Sequence, residues 1–172
     1  MAKRRIYKTT TIARAKVAVS KYRSAQKEAS EAMRVRVLVV DDHAIMRKAI
    51  CDLLSHDPTL DVICQTASGE EAVSKAEKLQ PDLVLLDIGL PGISGIEAAR
   101  QIRKVSPKSH IIFLSQHESL QMVNEALEFG GHGYVAKVDA GLELLSAIRA
   151  VREGTRFVSL RIRDQGWTAK EV

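Results

Sequence analysis

The apolar pattern of this chain centres on Leu83-Val84-Leu85-Leu86, which runs into Asp87 and then a Gly89-Leu90-Pro91-Gly92 turn. No position in that run is polar, so it predicts a strand buried on both faces of a sheet. Val35–Val40 predicts a first core strand, ending in Asp41-Asp42. Leu60–Thr66 predicts a second, with Val62 and Cys64 as inward positions. His110–Leu114 predicts a fourth strand ending at Ser115, and Gly133–Ala136 a short fifth ending at Lys137.

Helical spacing fills the gaps. Ile45, Ile50, Leu53 and Leu54 fall on one face of residues 44–55, and Ile96, Ala99 and Ile102 on one face of residues 95–105. Ser68 suits the N-cap of a helix over 69–79, with Glu70 and Glu71 in its first turn. Two more helices are expected over 120–129 and 142–152. Asp57-Pro58, Pro81-Asp82, Ser106-Pro107, Gly130-Gly131 and Gly154 punctuate the series. Strand and helix alternate five times, which predicts an α/β domain with a parallel sheet and helices on both faces.

A parallel sheet brings all strand ends to one edge, where ligands of open α/β sheets bind. Three carboxylates (Asp41, Asp42, Asp87), the Ser115 hydroxyl and the Lys137 ammonium then converge. Two like charges about 4 Å apart repel by roughly 4 kcal/mol at an effective dielectric of about 20, so a cation must hold them. Oxygen donors without His or Cys in the motif suit Mg²⁺. Lys137 suits a phosphate as a point charge. The set fits phosphoryl transfer onto Asp87, which is already ionised at neutral pH and needs no general base.

Bland roles compete for the same residues. One of Asp41 and Asp42 is expected to serve in part as N-cap of the first helix, Ser115 could cap the fourth, and Tyr134 alone would be half-buried core. His43, His110, His117 and His132 are dispersed and taken as structural or surface groups. His117, two past Ser115, is a candidate for tuning phosphate lifetime. Trp167 sits amid polar residues and is expected to be a loosely packed tail residue.

Charge changes the picture at one end only. Residues 1–32 hold nine Lys/Arg against two Glu, while the remainder is close to neutral. That basic arm, with Ile12, Ala15, Val19 and Tyr22 at helical spacing, is either a phosphate-backbone grip or an extension without a role. Met33 marks a natural start for the domain. Cys51 and Cys64 form no CxxC pair and are expected to be small buried hydrophobes. No apolar run is long enough for a membrane span, and a cytoplasmic location is expected.

Residues 33–155 resemble the receiver domain of two-component response regulators. The resemblance rests on Asp41-Asp42, Asp87, Pro91 four residues on, Gly95 eight on, Ser115, and Tyr134 three before Lys137. Asp-Asp-His and Gly-Tyr-Val-Ala-Lys are similar to the NarL/FixJ-type subfamily. It implies a flavodoxin-like (CheY-like), doubly wound five-stranded sheet in the order 2-1-3-4-5. It implies Mg²⁺ held by Asp41, Asp42, Asp87 and the Gly89 backbone carbonyl, with Asp87 the phospho-acceptor and Lys137 and Ser115 assisting. Ser115 and Tyr134 would switch the surface of helix 4, strand 5 and helix 5. The implied partners are a sensor histidine kinase and a second copy through that surface. DNA would be reached only through a further output domain or the basic arm. An enzyme with turnover is not expected: Asp-nucleophile phosphohydrolases usually carry an acid where Gly89 stands. A flavin site is disfavoured because Asp41-Asp42 would repel the cofactor phosphate. Val138 stands where many receivers have proline, and the 17 residues after Thr155 are too few for a helix-turn-helix domain. Residues 156–172 are expected to be a tail or a shortened linker.

Overall fold

The structure, a computed structural model, describes residues 34–168. The proposed basic helix of residues 1–32 lies outside them. The elements are β1 (Val35–Val40), α1 (Ala44–Ser55), β2 (Leu60–Thr66), α2 (Gly69–Leu79), β3 (Leu83–Asp87), α3 (Gly95–Val105), β4 (His110–Ser115), α4 (Leu120–Glu128), β5 (Gly133–Ala136), a 3₁₀ turn (Lys137–Asp139), α5 (Ala140–Arg152), β6 (Phe157–Val158) and α6 (Leu160–Arg163). The strands form one parallel sheet in the order β2-β1-β3-β4-β5-β6.

The α/β architecture is as expected, but the sheet has six strands, not five. β6 pairs with β5 through Gly133↔Phe157 and Tyr134↔Val158. Two residues are too few to show a period-2 signal, so only their place beside β5 reveals them. The first five strands keep the order 2-1-3-4-5.

Alternation along the strands builds two cores. Leu38, Val40, Val84, Leu86, Phe113 and Tyr134 face α2, α3 and α4. Val37, Val39, Leu83, Leu85, Leu114 and Val135 face α1 and α5. Each fully buried aliphatic or Phe side chain contributes about 1.5–3 kcal/mol, so these central strands dominate the fold's stability.

β2 departs from simple alternation. The register jumps from Val37↔Val62 to Leu38↔Cys64, leaving Ile63 as the extra residue of a bulge. Val62 therefore packs into one core and Cys64 into the other, although both are only partly buried. They were expected on the same inward face; the bulge turns them apart.

The chain after α5 is folded. Val158 and Ile162 are buried in the core on the α2–α4 face, and Trp167 packs against it with its indole N–H donating to Asn124 Oδ1 at 3.1 Å. Burial of Val158 and Ile162 outweighs the exposed polar contacts of this segment, each worth about 0.2–1 kcal/mol. Trp167 is thus packed rather than loose.

Candidate functional site

The ends of β1, β3, β4 and β5 meet at one edge and bring Asp41, Asp87, Ser115 and Lys137 together. Asp41 is fully buried and Asp87 is 3% exposed. Both are there because β1 and β3 are central strands whose backbones pair on both sides. Lys137 is delivered by the 3₁₀ turn after β5, and its Nζ lies 2.8 Å from Asp41 Oδ2 and donates to Asp87 Oδ2 at 2.6 Å. Burial alone would push the Lys137 ammonium towards neutrality. Hydrogen bonds that Lys137 donates to Asp41 and Asp87, and their negative charges, overcome this, and its pKa lies above the ordinary lysine value.

Asp87 is fixed from a second side, with Gly89 N donating to Oδ1 at 3.0 Å. Behind it, α3 begins directly on the Asp87 backbone. A Cβ on Gly95 would stand 2.0 Å from the Asp87 carbonyl oxygen, so only glycine fits. That is the physical reason for a glycine eight residues past Asp87.

Ser115 closes the mouth. Its Oγ accepts from His117 N at 3.0 Å, and Tyr134 donates its hydroxyl to the His117 carbonyl at 2.7 Å. Tyr134 is fully buried, and burial pushes its phenol pKa up, keeping it a proton donor. A cavity of about 90 Å³ remains, bounded by Asp87, Gly89, Ser115, His117, His43 and Lys137.

The expected capping roles do not hold. His43 occupies the α1 N-cap without a side-chain hydrogen bond, and Asp41 Oδ1 instead accepts from His43 N at 2.8 Å. The cap of α4 is Ser119, whose Oγ accepts from Met122 N, which leaves Ser115 to the mouth. Ser68 does cap α2.

His43 was passed over in the sequence. Its Nδ1 lies 2.7 Å from Asp42 Oδ1, and one ligand atom each from Asp41, Asp42, His43 and Asp87 falls within 4.8 Å of all the others. Its position directly after the acidic pair was the available signal. The cluster's buried members are carboxylates and the exposed one is the imidazole. Such a hard-oxygen set fits Mg²⁺ better than a softer metal.

Chemically, the arrangement offers a carboxylate at a mouth, a second carboxylate set and a fixed ammonium. None of the helices among the described residues is long and apolar enough to cross a membrane.

Comparison with known proteins agrees with this fold. A family model described as "Response regulator receiver domain" matches residues 37–149. The response regulator GacA of Pseudomonas viridiflava is 38% identical over 131 residues, covering 76% of this chain and 61% of that protein. Protein-glutamate methylesterase/protein-glutamine glutaminase 2 of Carboxydothermus hydrogenoformans is 35% identical over 149 residues, covering 81% of this chain and 42% of that protein. Among solved structures, a LuxR-family two-component response regulator from Aurantimonas sp. SI85-9A1 is 34% identical, with a TM-score of 0.73 over 76% of this chain and 94% of that one. The chain spans about three fifths of the length of the GacA relatives it matches.

Proposed function

This chain belongs to the response-regulator receiver-domain family, and from that premise we propose that Asp87 accepts a phosphoryl group from the histidine of a sensor kinase. The observation that carries the proposal is Lys137 Nζ placed between Asp41 Oδ2 and Asp87 Oδ2 at the rim of a cavity that Ser115 also lines.

An Asp87 carboxylate oxygen attacks phosphorus while the bond from phosphorus to the donor imidazole breaks. The product is an acyl phosphate and a free imidazole. Lys137 offsets the charge gathered on the phosphoryl oxygens, and the Ser115 hydroxyl is placed to donate to one of them. Asp41, Asp42, Asp87 and the Gly89 carbonyl would hold Mg²⁺, which supplies further charge neutralisation when bound. Gly89 offers a backbone N–H to Asp87 and no acid, so the site favours holding the acyl phosphate over turnover.

The surroundings suit a protein donor. An apolar hollow of about 520 Å³, lined by Ile45, Met46, Ala49 and Val138, opens beside the mouth. Ile45 is 87% and Val138 69% exposed, an apolar rim that a partner would cover. Val138 in place of proline adds to that rim. Modification would reset Ser115 and Tyr134 and so the α4–β5–α5 surface, through which a second copy could bind. A regulatory output in transcriptional control, as printed for the transcriptional activator protein ExaE of Pseudomonas putida, and a cytoplasmic location belong to the same proposal.

Mass spectrometry with acetyl phosphate and Mg²⁺ tests this. The protein should gain one phosphoryl group, and Asp87→Asn should gain none. An Asp87→Asn protein that labels as fully as the original removes the assignment.

A further inference from the structure

We propose that residues 157–167 form a strap that clamps the loops carrying Ser115 and Lys137, and that this grip opposes modification of Asp87. The proposal rests on the acceptor assignment above.

The strap has two kinds of attachment. Val158 and Ile162 are buried and anchor it to the core, independent of the mouth. Leu160 N donates to Glu143 on α5 and Trp167 to Asn124 on α4, but the other side-chain contacts go to the switch loops themselves. Ser159 Oγ accepts from Ala136 N at 2.9 Å, directly before Lys137, and Ser159 N donates to the Tyr134 carbonyl at 3.0 Å. Arg161 donates from Nε and Nη2 to Asp139 at 2.9 and 3.2 Å, two residues past Lys137. The same Nε lies 3.6 Å from Glu118 Oε1, three residues past Ser115, and Gln165 Nε2 donates to Glu118 Oε2 at 3.5 Å. One guanidinium therefore spans the outer ends of both loops whose inner ends make the acceptor site.

That placement couples the two ends. Lys137 is already committed to two carboxylates, Asp41 and Asp87. Meeting a phosphoryl group on Asp87 requires its ammonium to turn from at least one of them, and Arg161 ties down the outer ends of the Lys137 and Ser115 loops. What the strap resists in one direction, modification loosens in the other, because coupling free energy is reciprocal. Once loosened, the segment would uncover the side of α4 and β5 on which Val158, Ile162 and Trp167 rest.

Trp167 is the chain's only tryptophan and reports on this directly. The experiment uses the full chain, as it is and as Arg161→Gln, titrated with beryllofluoride and Mg²⁺. It reads acrylamide quenching of Trp167 and amide exchange of residues 157–164. Beryllofluoride should raise both quenching and exchange. Arg161→Gln should raise both without beryllofluoride, and should lower its half-saturation concentration about two- to fivefold, the size expected of a half-exposed ion pair. Arg161 is 46% exposed, so the substitution should fold, and Glu118→Gln repeats the test from the other loop. Phosphoryl mass gain from acetyl phosphate with unchanged quenching and exchange overturns the strap and leaves the acceptor assignment standing. No mass gain overturns both. An unchanged half-saturation in both variants also sinks the strap.

Discussion

The two edges of this sheet bury polar groups in opposite ways. At the edge where the strands begin, the buried serines Ser106 and Ser109 are neutral and satisfy each other. Ser109 donates to the Pro81 carbonyl at 2.5 Å and shares a 2.8 Å hydrogen bond with Ser106. Beside them the exposed Gln80, in a left-handed conformation, closes α2 and donates to the Val105 carbonyl at 2.9 Å. His132 Nδ1 accepts from Ile111 N at 3.1 Å. At the other edge, two buried carboxylates depend on one ammonium. The first edge is closed and finished. The second retains unspent electrostatic demand, and that is what lets it take a charged group. Buried hydrogen bonds between neutral groups secure a fold, whereas buried like charges create a place for chemistry.

Removing the shared cation should expose this contrast most strongly. Lys137→Met leaves Asp41 and Asp87 buried against each other and should lower unfolding free energy by about 3–5 kcal/mol at neutral pH, read from urea denaturation. A loss within experimental error would mean that the carboxylates are not held as described. The same dependence has an alkaline signature. The folded pKa of Lys137 is raised, so its contribution is fully present below the ordinary value of 10.5 and disappears as pH rises through the raised value.

A smaller loss is expected from the opposite edge. Ser109→Ala leaves the Pro81 carbonyl and Ser106 without their partner and should cost about 1–3 kcal/mol, with phosphoryl uptake unchanged. Loss of uptake would show that the edges are not independent.

An effect silent at neutral pH is an acid limb at the same edge. Burial first, then the nearby charges of His110, Arg103 and Arg156, lower the His132 pKa from 6.5 to about 4. The folded state binds fewer protons than the unfolded one, so stability is intact above pH 6.5 and declines as pH falls towards 4. His132→Asn, which can still accept from Ile111 N, should make that decline shallower. An unaltered acid profile would show that His132 is not its source.

Much of this was legible in the chain. The strands buried on both faces announce themselves as unbroken apolar runs, and their last residues name the site: Asp41, Asp87, Ser115 and Lys137. Ser68 marked its helix because a hydroxyl before two glutamates has one efficient use. The remainder depends on pairings remote in sequence. Phe157-Val158 is a strand only because the β5 edge stands open beside it. The bulge at Ile63 is a relation between β1 and β2 and leaves no mark in β2 alone. His43 is exposed, as expected of a surface group, and only the turn at Asp41 shows its imidazole meeting Asp42.

Gly95 carries a consequence for how any displacement can leave Asp87. With the first turn of α3 resting on the Asp87 carbonyl, and Gly95 N donating to the Ile88 carbonyl at 3.0 Å, that strand and helix have no slack between them. They should travel as one rigid piece. Displacement born at the carboxylate is thereby denied the nearest route and must pass sideways, strand to strand, into β4 and β5.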